Sequence, residues 1–294
     1  MNKVGFIGVG IMGKSMVRNL MKAGFELHIY ARTKNKVEDV ISEGAQFHES
    51  IKDCVQDCDA VITIVGFPQD VEEVYFDEGN ILDSAKEGAY LIDMTTTSPQ
   101  IAEKIYAEGT KRGFHVMDAP VTGGDTGAKA GTLSILVGGE KEDYEACMLL
   151  FEAMGTNINY QGKAGCGQHC KLANQIMIAG TLSGVCEALT YAKEQGLDPE
   201  VFMKSVATGA AGSKQLDTFG PKILKDDYAP GFFMKHFIKD MKLALIEANR
   251  KGLSLDVLSM VLANYEELEQ EGYGDLGTQA LMKFYDEEHR NMDE

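Results

Sequence analysis

Residues 3–13 read Lys-Val-Gly-Phe-Ile-Gly-Val-Gly-Ile-Met-Gly. A short apolar run is followed by a helical pattern, and three glycines lie where a strand would turn into a helix. Gly8 would permit the tight turn, Gly10 would let a pyrophosphate approach the backbone, and Gly13 would let the helix pack closely on the strand. The first amide groups of that helix would face the phosphates. This stretch therefore predicts a dinucleotide-binding site.

Strands and helices alternate through the first half of the chain, as in a doubly wound sheet. Predicted strands cover residues 4–7, 26–31, 60–65, 89–93, 114–118 and 133–137, with a short one near 158. Predicted helices follow the glycine motif and cover residues 34–43, 98–112 and 141–154. Such alternation predicts an α/β fold with a mostly parallel sheet. We expect this Rossmann domain to occupy residues 1–162.

The second half, residues 163–294, contains helical patterns and no convincing strand. The predicted helices cover residues 168–194, 213–224, 238–250, 254–271 and 278–285, and one more begins at Asp198-Pro199. The pattern over 168–194 is apolar on most sides, which is typical of a buried helix. We therefore expect an all-helical domain for substrate binding and oligomerisation, connected to the first domain by this long helix.

The size and charge of the chain limit its function. A chain of 294 residues suggests about two domains. The net charge of −17 argues against general affinity for nucleic acid or an anionic membrane surface. We expect no apolar stretch to be long enough to span a bilayer, and no long hydrophobic run follows the N-terminal charge. The expected location is the cytoplasm.

The six cysteines do not predict a disulfide framework in a chain of this length. Cys54 and Cys58 share an i, i+4 spacing, and so do Cys166 and Cys170. His169 could join the second pair as a metal ligand, but no second group of ligands with suitable spacing accompanies it. We therefore interpret these thiols as small buried or half-buried side chains and predict no metal.

Three further segments make the interpretation specific. They read Asp118-Ala-Pro-Val-Thr-Gly-Gly124, Gly167-Gln-His-Cys-Lys-Leu-Ala-Asn-Gln175 and Lys235-His-Phe-Ile-Lys-Asp240. With the glycine motif, their content, order and spacing resemble the β-hydroxyacid dehydrogenases, from about Lys3 to about Tyr285. That family includes 3-hydroxyisobutyrate dehydrogenases, tartronate semialdehyde reductases and glyoxylate/succinic semialdehyde reductases. The resemblance implies hydride transfer between a nicotinamide cofactor and a small carboxylate-bearing substrate.

Lys171 is the predicted general acid and base. Reduction of an aldehyde leaves an alkoxide that needs a proton, and oxidation of the alcohol needs a base for the same proton. A free lysine titrates near pH 10.4, so burial or a nearby positive charge would have to lower its pKa. Lys239 would supply that charge if the domains fold over each other. Asn174 lies one helical turn from Lys171 and would orient it or bind a substrate oxygen.

The substrate residues follow partly from chemistry and partly from the resemblance. Thr122, Gly123 and Gly124 follow a strand end, where a hydroxyl and bare glycine amides can hold a carboxylate. The family most often has serine at the position of Thr122, so the added methyl group would narrow the pocket. The resemblance implies that Phe232 lines the pocket, that Lys239 approaches nicotinamide and substrate, and that Asp240 orients its neighbours. From the residues alone, Phe232 would also fit a hydrophobic core and Asp240 the beginning of a helix.

Residues 30–36 predict NADP as the cofactor, with NAD possible. An NAD site of this type carries an acidic residue at the end of the second strand. Here residues 30–37 contain no Asp or Glu, and the first acid after the strand is Glu38. Arg32 would bind a 2′-phosphate through two N–H groups, Thr33 would add a hydroxyl and Lys36 a charge. An ordinary surface charge cluster is the alternative. The full set of expected cofactor contacts is Gly8, Gly10, Ile11, Met12, Gly13, Ala31, Arg32, Thr33, Lys36, Val65, Gly66, Thr95, Thr96 and Lys239.

Two other functions remain open from the sequence. A 6-phosphogluconate dehydrogenase-like oxidative decarboxylase would need a basic pocket for a sugar phosphate, and we identified none. A non-catalytic dinucleotide-binding protein would be expected to lack Lys171, which this chain has. We also expect a homo-dimer or homo-tetramer, because the helical domain has many apolar faces for its size.

Overall fold

The computed structural model describes residues 1–285, which divide into two compact units. The first is Met1–Lys171 and the second begins at Leu172. This division falls inside a long helix, whereas we expected a domain boundary between residues 162 and 163. The fold is an N-terminal Rossmann-type unit followed by a helical unit.

Nine strands form one sheet in the first unit. They are β1 (Lys3–Ile7), β2 (Glu26–Tyr30), β3 (Gln46–His48), β4 (Ala60–Thr63), β5 (Tyr90–Asp93), β6 (His115–Asp118), β7 (Val121–Thr122), β8 (Leu133–Gly139) and β9 (Gly155–Gly162). The strand order is β3-β2-β1-β4-β5-β6-β8-β7, and β9 pairs with β8. The pairs from β3 to β6 are parallel, and β8 runs antiparallel to β6 and β7. The order reverses between β1 and β4, where such sheets bind dinucleotides.

Helices cover both faces of this sheet. They are α1 (Ile11–Lys22), α2 (Glu38–Ser42), α3 (Ile51–Val55), α4 (Pro68–Phe76), α5 (Ile81–Ser84), α6 (Pro99–Lys111), α7 (Gly124–Ala130), α8 (Lys141–Ala146) and α9 (Met148–Met154). Neighbouring residues of one strand belong to different cores: Phe6 packs in one cluster and Ile7 in the other. The central strands are therefore buried on both faces, as expected for a parallel sheet.

The remaining helices build the second unit around its own core. They are α10 (Cys166–Glu194), α11 (Pro199–Ala207), α12 (Lys214–Ile223), α13 (Met234–Arg250) and α14 (Asp256–Gln270), with a 3₁₀ segment at Thr278–Tyr285. Leu182 of α10 lies in one apolar cluster with Phe237 of α13 and Tyr265 of α14. The rings of Phe237 and Tyr265 contact edge to face, with their centroids 5.4 Å apart.

Local signals fixed several helix starts. The side chain of Ser98 accepts a hydrogen bond from the backbone N of Gln100, and Pro99 is the first residue of α6. Asp198 caps α11 in the same way, accepting from the backbone N of Glu200 and of Val201. The structure contains elements that were not predicted: the strands β3 and β7 and the helices α3, α4, α5 and α7. The helix expected over residues 34–43 is a 3₁₀ turn plus α2, and the one over 141–154 is divided into α8 and α9.

α10 qualifies as a candidate membrane span on length and composition alone, contrary to the expectation that no stretch would do so. Its 29 residues include an 18-residue stretch of mean hydropathy at 1.2, of which 44% is buried inside the protein. A buried core helix passes the same test. The small residues of α10 also permit close packing: a Cβ built on Gly180 would lie 3.5 Å from Val257 of α14.

Candidate active site

The glycine turn joins β1 to α1 at the point where the strand order reverses. Gly8 has a φ of +97°, and a Cβ there would lie 2.1 Å from the carbonyl oxygen of Ile64. A Cβ on Gly13 would lie 2.2 Å from the carbonyl oxygen of Gly8, so the helix rests directly on the turn. A Cβ on Gly10 would meet no atom within 4 Å. The space above Gly10 and the start of α1 therefore suits a bound pyrophosphate, whose phosphates the first N–H groups would face.

The basic segment after β2 lies at the surface. Arg32, Thr33 and Lys36 are exposed, and Ala31 is half-buried. The Arg32 side chain is 70% exposed, and its Nη1 lies 3.2 Å from Oδ1 of Asp70. Oδ2 of Asp70 accepts a hydrogen bond from the backbone N of Phe67 at 2.9 Å. The guanidinium is thus held near the loop that follows β4, by an ion pair in contact with solvent.

A buried polar network lies under the loops that follow β4 and β5. Oδ1 of Asp93 accepts hydrogen bonds from the hydroxyl of Thr63 at 2.8 Å and from the backbone N of Thr95 at 3.1 Å. The hydroxyl of Thr95 accepts from the backbone N of Val65 at 3.0 Å. Burial raises the pKa of Asp93 to about 6, although hydrogen bonds from Thr95 and Thr63 oppose the shift. Thr95 therefore joins the two loops expected to contact the cofactor.

The start of α10 is attached to the carboxyl ends of β5 and β6. Oδ1 of Asp118 accepts from the backbone N of Gly165 at 2.7 Å, and Oδ2 accepts from that of Gln168 at 2.8 Å. Burial nevertheless raises the pKa of Asp118. The Gln168 side chain donates to the carbonyl oxygen of Thr95 at 2.7 Å and accepts from the backbone N of Thr97 at 3.0 Å. The first turn of α10 is therefore fixed to the sheet.

Lys171 lies on α10 one turn beyond Gln168 and is only 7% exposed. Three residues along a helix correspond to a rise of about 4.5 Å. The turn of α10 that precedes Lys171 therefore carries the Gln168 contacts with residues 95 and 97. Within the first unit, the glycine turn, Val65 and Thr95 follow β1, β4 and β5, and Lys171 lies on the helix that Gln168 attaches to the loop after β5.

A second polar network lies in the helical unit. The side-chain amide of Asn174 donates to Oε1 of Gln175 at 2.8 Å, and Nε2 of Gln175 donates to Oδ2 of Asp240 at 2.7 Å. Nζ of Lys239 lies 3.0 Å from Oδ1 of the same carboxylate. Gln175 and Asp240 are buried, and Asn174 is half-buried. Three of the predicted site residues, Asn174, Lys239 and Asp240, therefore belong to one network.

The remaining predicted substrate residues, and several predicted cofactor residues, are half-buried or exposed. Thr122 ends β7, and Gly123 and Gly124 have φ values of +131° and +64°. Phe232 precedes α13, and its ring centroid lies 6.0 Å from that of Phe237. Gly66 and Thr96 are half-buried within the loops after β4 and β5. Ile11 is exposed and Met12 half-buried at the start of α1.

Sequence reasoning missed five side chains of these networks: Thr63, Asp93, Asp118, Gln168 and Gln175. Asp93 ends a strand that is otherwise apolar, which is a recognisable signal for a residue at the ligand-binding edge of a sheet. Gln168 and Gln175 lie within a quoted motif, but their partners are 71 and 65 residues away along the chain. In residues 1–285, no group of three or more His, Cys, Asp or Glu side chains is arranged to hold a metal ion.

Comparison with known families divides the chain into two matched segments. Residues 3–162 match the model described as the NAD binding domain of 6-phosphogluconate dehydrogenase. Residues 165–285 match the model described as the NAD-binding segment of NADP-dependent 3-hydroxyisobutyrate dehydrogenase. The two segments together cover nearly all of the described residues.

Three relatives extend over most of the chain. An uncharacterized oxidoreductase of Bacillus subtilis is 49% identical over 96% of this chain and 98% of its own length. A probable mitochondrial 3-hydroxyisobutyrate dehydrogenase-like protein of Arabidopsis thaliana is 44% identical over 95% of this chain and 84% of its own length. The 2-hydroxy-3-oxopropionate reductase of Escherichia coli is 38% identical over 86% of both chains. The relatives with an assigned activity are dehydrogenases or reductases.

A solved structure has the same fold. The 3-hydroxyisobutyrate dehydrogenase of Mycobacterium tuberculosis, determined with L-serine, superimposes with a TM-score of 0.88 at 26% identity. The match covers 96% of this chain and 98% of that one. Both units described above therefore have counterparts in a single known enzyme.

Proposed function

We propose a specific reaction for this chain, which belongs to the family of NAD(P)-dependent β-hydroxyacid dehydrogenases. The protein is an oxidoreductase with a Rossmann-type cofactor domain. The proposed reaction is hydride transfer between NADP and a small β-hydroxy acid or its semialdehyde, with Lys171 as general acid and base. The model matched by residues 165–285 supports a dehydrogenase over an oxidative decarboxylase.

The burial and placement of Lys171 carry this proposal. Its helix begins with hydrogen bonds to the loop after β5 and to the end of β6. In reduction, Nζ of Lys171 would donate a proton to the oxygen that becomes the alcohol. In oxidation, the same atom would accept that proton. Asn174 would hold a substrate oxygen, with its amide oriented through Gln175.

The cofactor would lie along the carboxyl edge of the sheet. Gly8, Gly10 and Gly13 would hold the pyrophosphate at the start of α1, and Thr95 and Thr96 would lie near the nicotinamide ribose. When bound, the nicotinamide supplies the hydride in reduction and accepts it in oxidation. The preference for NADP is supported by the exposed charges of Arg32 and Lys36.

The substrate would be a small carboxylate. Thr122, Gly123 and Gly124 would bind the carboxylate through a hydroxyl and backbone amides, and Lys239 would contribute charge. Phe232 would line the apolar side of the pocket, and Asp240 would orient Lys239, with which it forms an ion pair. The names of the Arabidopsis and Escherichia coli relatives denote small hydroxy acids of this class. We further propose a homo-dimer or homo-tetramer located in the cytoplasm.

Replacement of Lys171 tests the reaction. We expect Lys171→Ala to lower kcat by about two to four orders of magnitude, the usual contribution of a positioned acid or base. The affinity for NADPH, measured by the fluorescence of the bound cofactor, should remain within a few-fold of the unmodified protein. Turnover is measured by the absorbance of NADPH with a panel of semialdehydes and hydroxy acids.

The matched control is Lys193→Ala, which removes an exposed lysine from the same helix. The kcat of this control should stay within about twofold of the value for the unmodified protein, as expected for a surface substitution. Turnover of Lys171→Ala close to that of the control would refute the proposed role of Lys171. A pH profile adds a second check, because the variant should lose the ionisation that belongs to the acid and base.

A further inference from the structure

The side chain of Gln168 is hydrogen-bonded at both ends of its amide while fully buried. Its exposed fraction is 0%. Nε2 donates to the carbonyl oxygen of Thr95 at 2.7 Å, and Oε1 accepts from the backbone N of Thr97 at 3.0 Å. The amide thus pairs with residues 95 and 97 as a neighbouring strand would. This pairing fixes the backbone of the loop after β5 on both sides of Thr96.

The main chain around Gln168 is equally constrained. Its backbone N donates to Oδ2 of Asp118 at 2.8 Å. A Cβ built on the preceding residue, Gly167, would lie 2.3 Å from the carbonyl oxygen of Leu136 and 2.7 Å from that of Asp118. The helix therefore approaches the sheet as closely as a glycine allows. Hydrogen bonds therefore hold both the side chain and the backbone of Gln168, next to a close approach of Gly167 to β6 and β8.

Thr95 receives contacts from three elements. Its backbone N donates to Asp93 at the end of β5, its hydroxyl accepts from Val65 after β4, and its carbonyl accepts from Gln168 on α10. Two of these elements carry expected cofactor contacts, and the third carries Lys171 three residues beyond Gln168. Gln168 therefore connects the helix that carries the proposed proton donor to the proposed cofactor loop.

We propose that Gln168 is a positioning residue that fixes Lys171 relative to the loop on which the nicotinamide ribose rests. This inference depends on the proposed function, in which Lys171 transfers the proton and Thr95 lies beside the cofactor. Proton and hydride transfer must occur at the same carbon–oxygen group, so a shift of one partner lowers the rate of both. A misplacement of about 1 Å can cost about a hundredfold in rate.

Gln168→Glu provides a test with a pH signature. An ionised carboxylate can accept from the backbone N of Thr97 but has no hydrogen for the carbonyl oxygen of Thr95, which would repel it. A protonated carboxyl has one O–H group that can donate to Thr95. We therefore expect kcat of the variant, relative to the unmodified protein, to fall about ten- to hundredfold at pH 8 and to recover as the pH is lowered. KM for NADPH should change much less than kcat.

Gln168→Met supplies the second variant, because it has a similar length but lacks both hydrogen bonds. Its loss of kcat should be present at every pH. With NADPH deuterated at the transferred position, the isotope effect on kcat should be larger in both variants, since a misplaced acid makes chemistry more rate-limiting. Gln195→Glu is the matched control: the same change at an exposed position of the same chain, expected to leave kcat unchanged at all pH values.

The outcomes separate this inference from the function on which it depends. Loss of activity in Lys171→Ala together with unmodified kcat in both Gln168 variants would overturn the positioning role alone. A loss in Gln168→Glu that is independent of pH and follows the fraction of folded protein would mean a merely structural role and would also overturn it. Full activity in Lys171→Ala would overturn both proposals. Circular dichroism and NADPH binding of each variant report whether it is folded.

Discussion

At the scale of single residues, Arg32 tests the cofactor preference. Its guanidinium would form a bidentate, charge-assisted contact with the 2′-phosphate of NADP and would have no such partner in NAD. One contact of about 1.5–3 kcal/mol corresponds to about a ten- to hundredfold preference. The ion pair with Asp70 and the 70% exposure of the side chain reduce that gain, because carboxylate and solvent compete with the phosphate.

We therefore expect Arg32→Ala to raise KM for NADPH by about tenfold, at the lower end of that range, and to leave KM for NADH nearly unchanged. Lys34→Ala is the control, since Lys34 belongs to the same exposed segment but pairs with Glu49. The preference of the unmodified protein should decrease as ionic strength rises. Equal kcat/KM for NADPH and NADH in the unmodified enzyme would contradict the preference for NADP. An equal loss of activity with NADPH and with NADH in Arg32→Ala would contradict the role of Arg32.

At the scale of secondary-structure elements, β4 and β5 share a buried carboxyl group. Asp93 is fully buried, and its Oδ2 has no hydrogen-bond partner within residues 1–285. Its pKa rises from 3.8 to about 6 on folding, so the folded protein holds this proton more strongly than the unfolded chain. The corresponding stability is fully present below pH 3.8 and is lost as the pH rises through about 6. Above that range, ionisation costs about 3 kcal/mol.

Asp93→Asn removes this titration while keeping the acceptor for Thr63 and Thr95. The free energy of unfolding of the variant, minus that of the unmodified protein, should increase by up to about 3 kcal/mol between pH 4 and pH 7. Urea denaturation at several pH values measures this difference. Asp57→Asn, at an exposed position, separates the effect of burial from the loss of one negative charge. A difference that is constant across this pH range would show that Asp93 has the same pKa in the folded and unfolded states, and would contradict the upward shift on burial.

Elements with local signals were predictable from the sequence, and those that depend on distant partners were not. The glycine turn, the Ser98 cap and the Asp198 cap each rest on residues adjacent in the chain. The three residues of β3 carry no such signal; they form a strand because they pair with β2. The contacts of Gln168 likewise join residues more than 70 positions apart. Sequence reasoning located the residues expected to do the chemistry but not the side chains that hold them.

At the scale of the whole molecule, exposed apolar side chains in the helical unit support the expected oligomer. Met177, Val257 and Met260 are 74%, 58% and 52% exposed, respectively. Val257 of α14 lies beside Gly180 of α10, and Gly180 is one helical turn from Met177. Met177, Val257 and Met260 therefore form an α10–α14 apolar patch. Large exposed apolar patches usually mark interaction sites. A second copy of the chain is the partner that we expect there.

Val257→Glu and Met260→Glu should shift the mass measured by light scattering towards that of the 32.1 kDa monomer. Leu149→Glu is the matched control, because Leu149 is 73% exposed but lies in the first unit. It should leave the oligomer intact. A monomeric mass for the unmodified protein, or equal dissociation in the control, would contradict this assignment of the interface.

The contrast between residues 32–36 and residues 165–168 has an evolutionary consequence. The first segment is exposed, so substitutions there change the stability of the fold by only about 0.5 kcal/mol. The second segment is enclosed by backbone, and a single added methyl group at Gly167 would displace main-chain atoms. If residues 32–36 set the cofactor preference as we propose, lineages of this family can change that preference at little cost in stability. Under the same proposal, the segment that positions Lys171 tolerates far fewer substitutions.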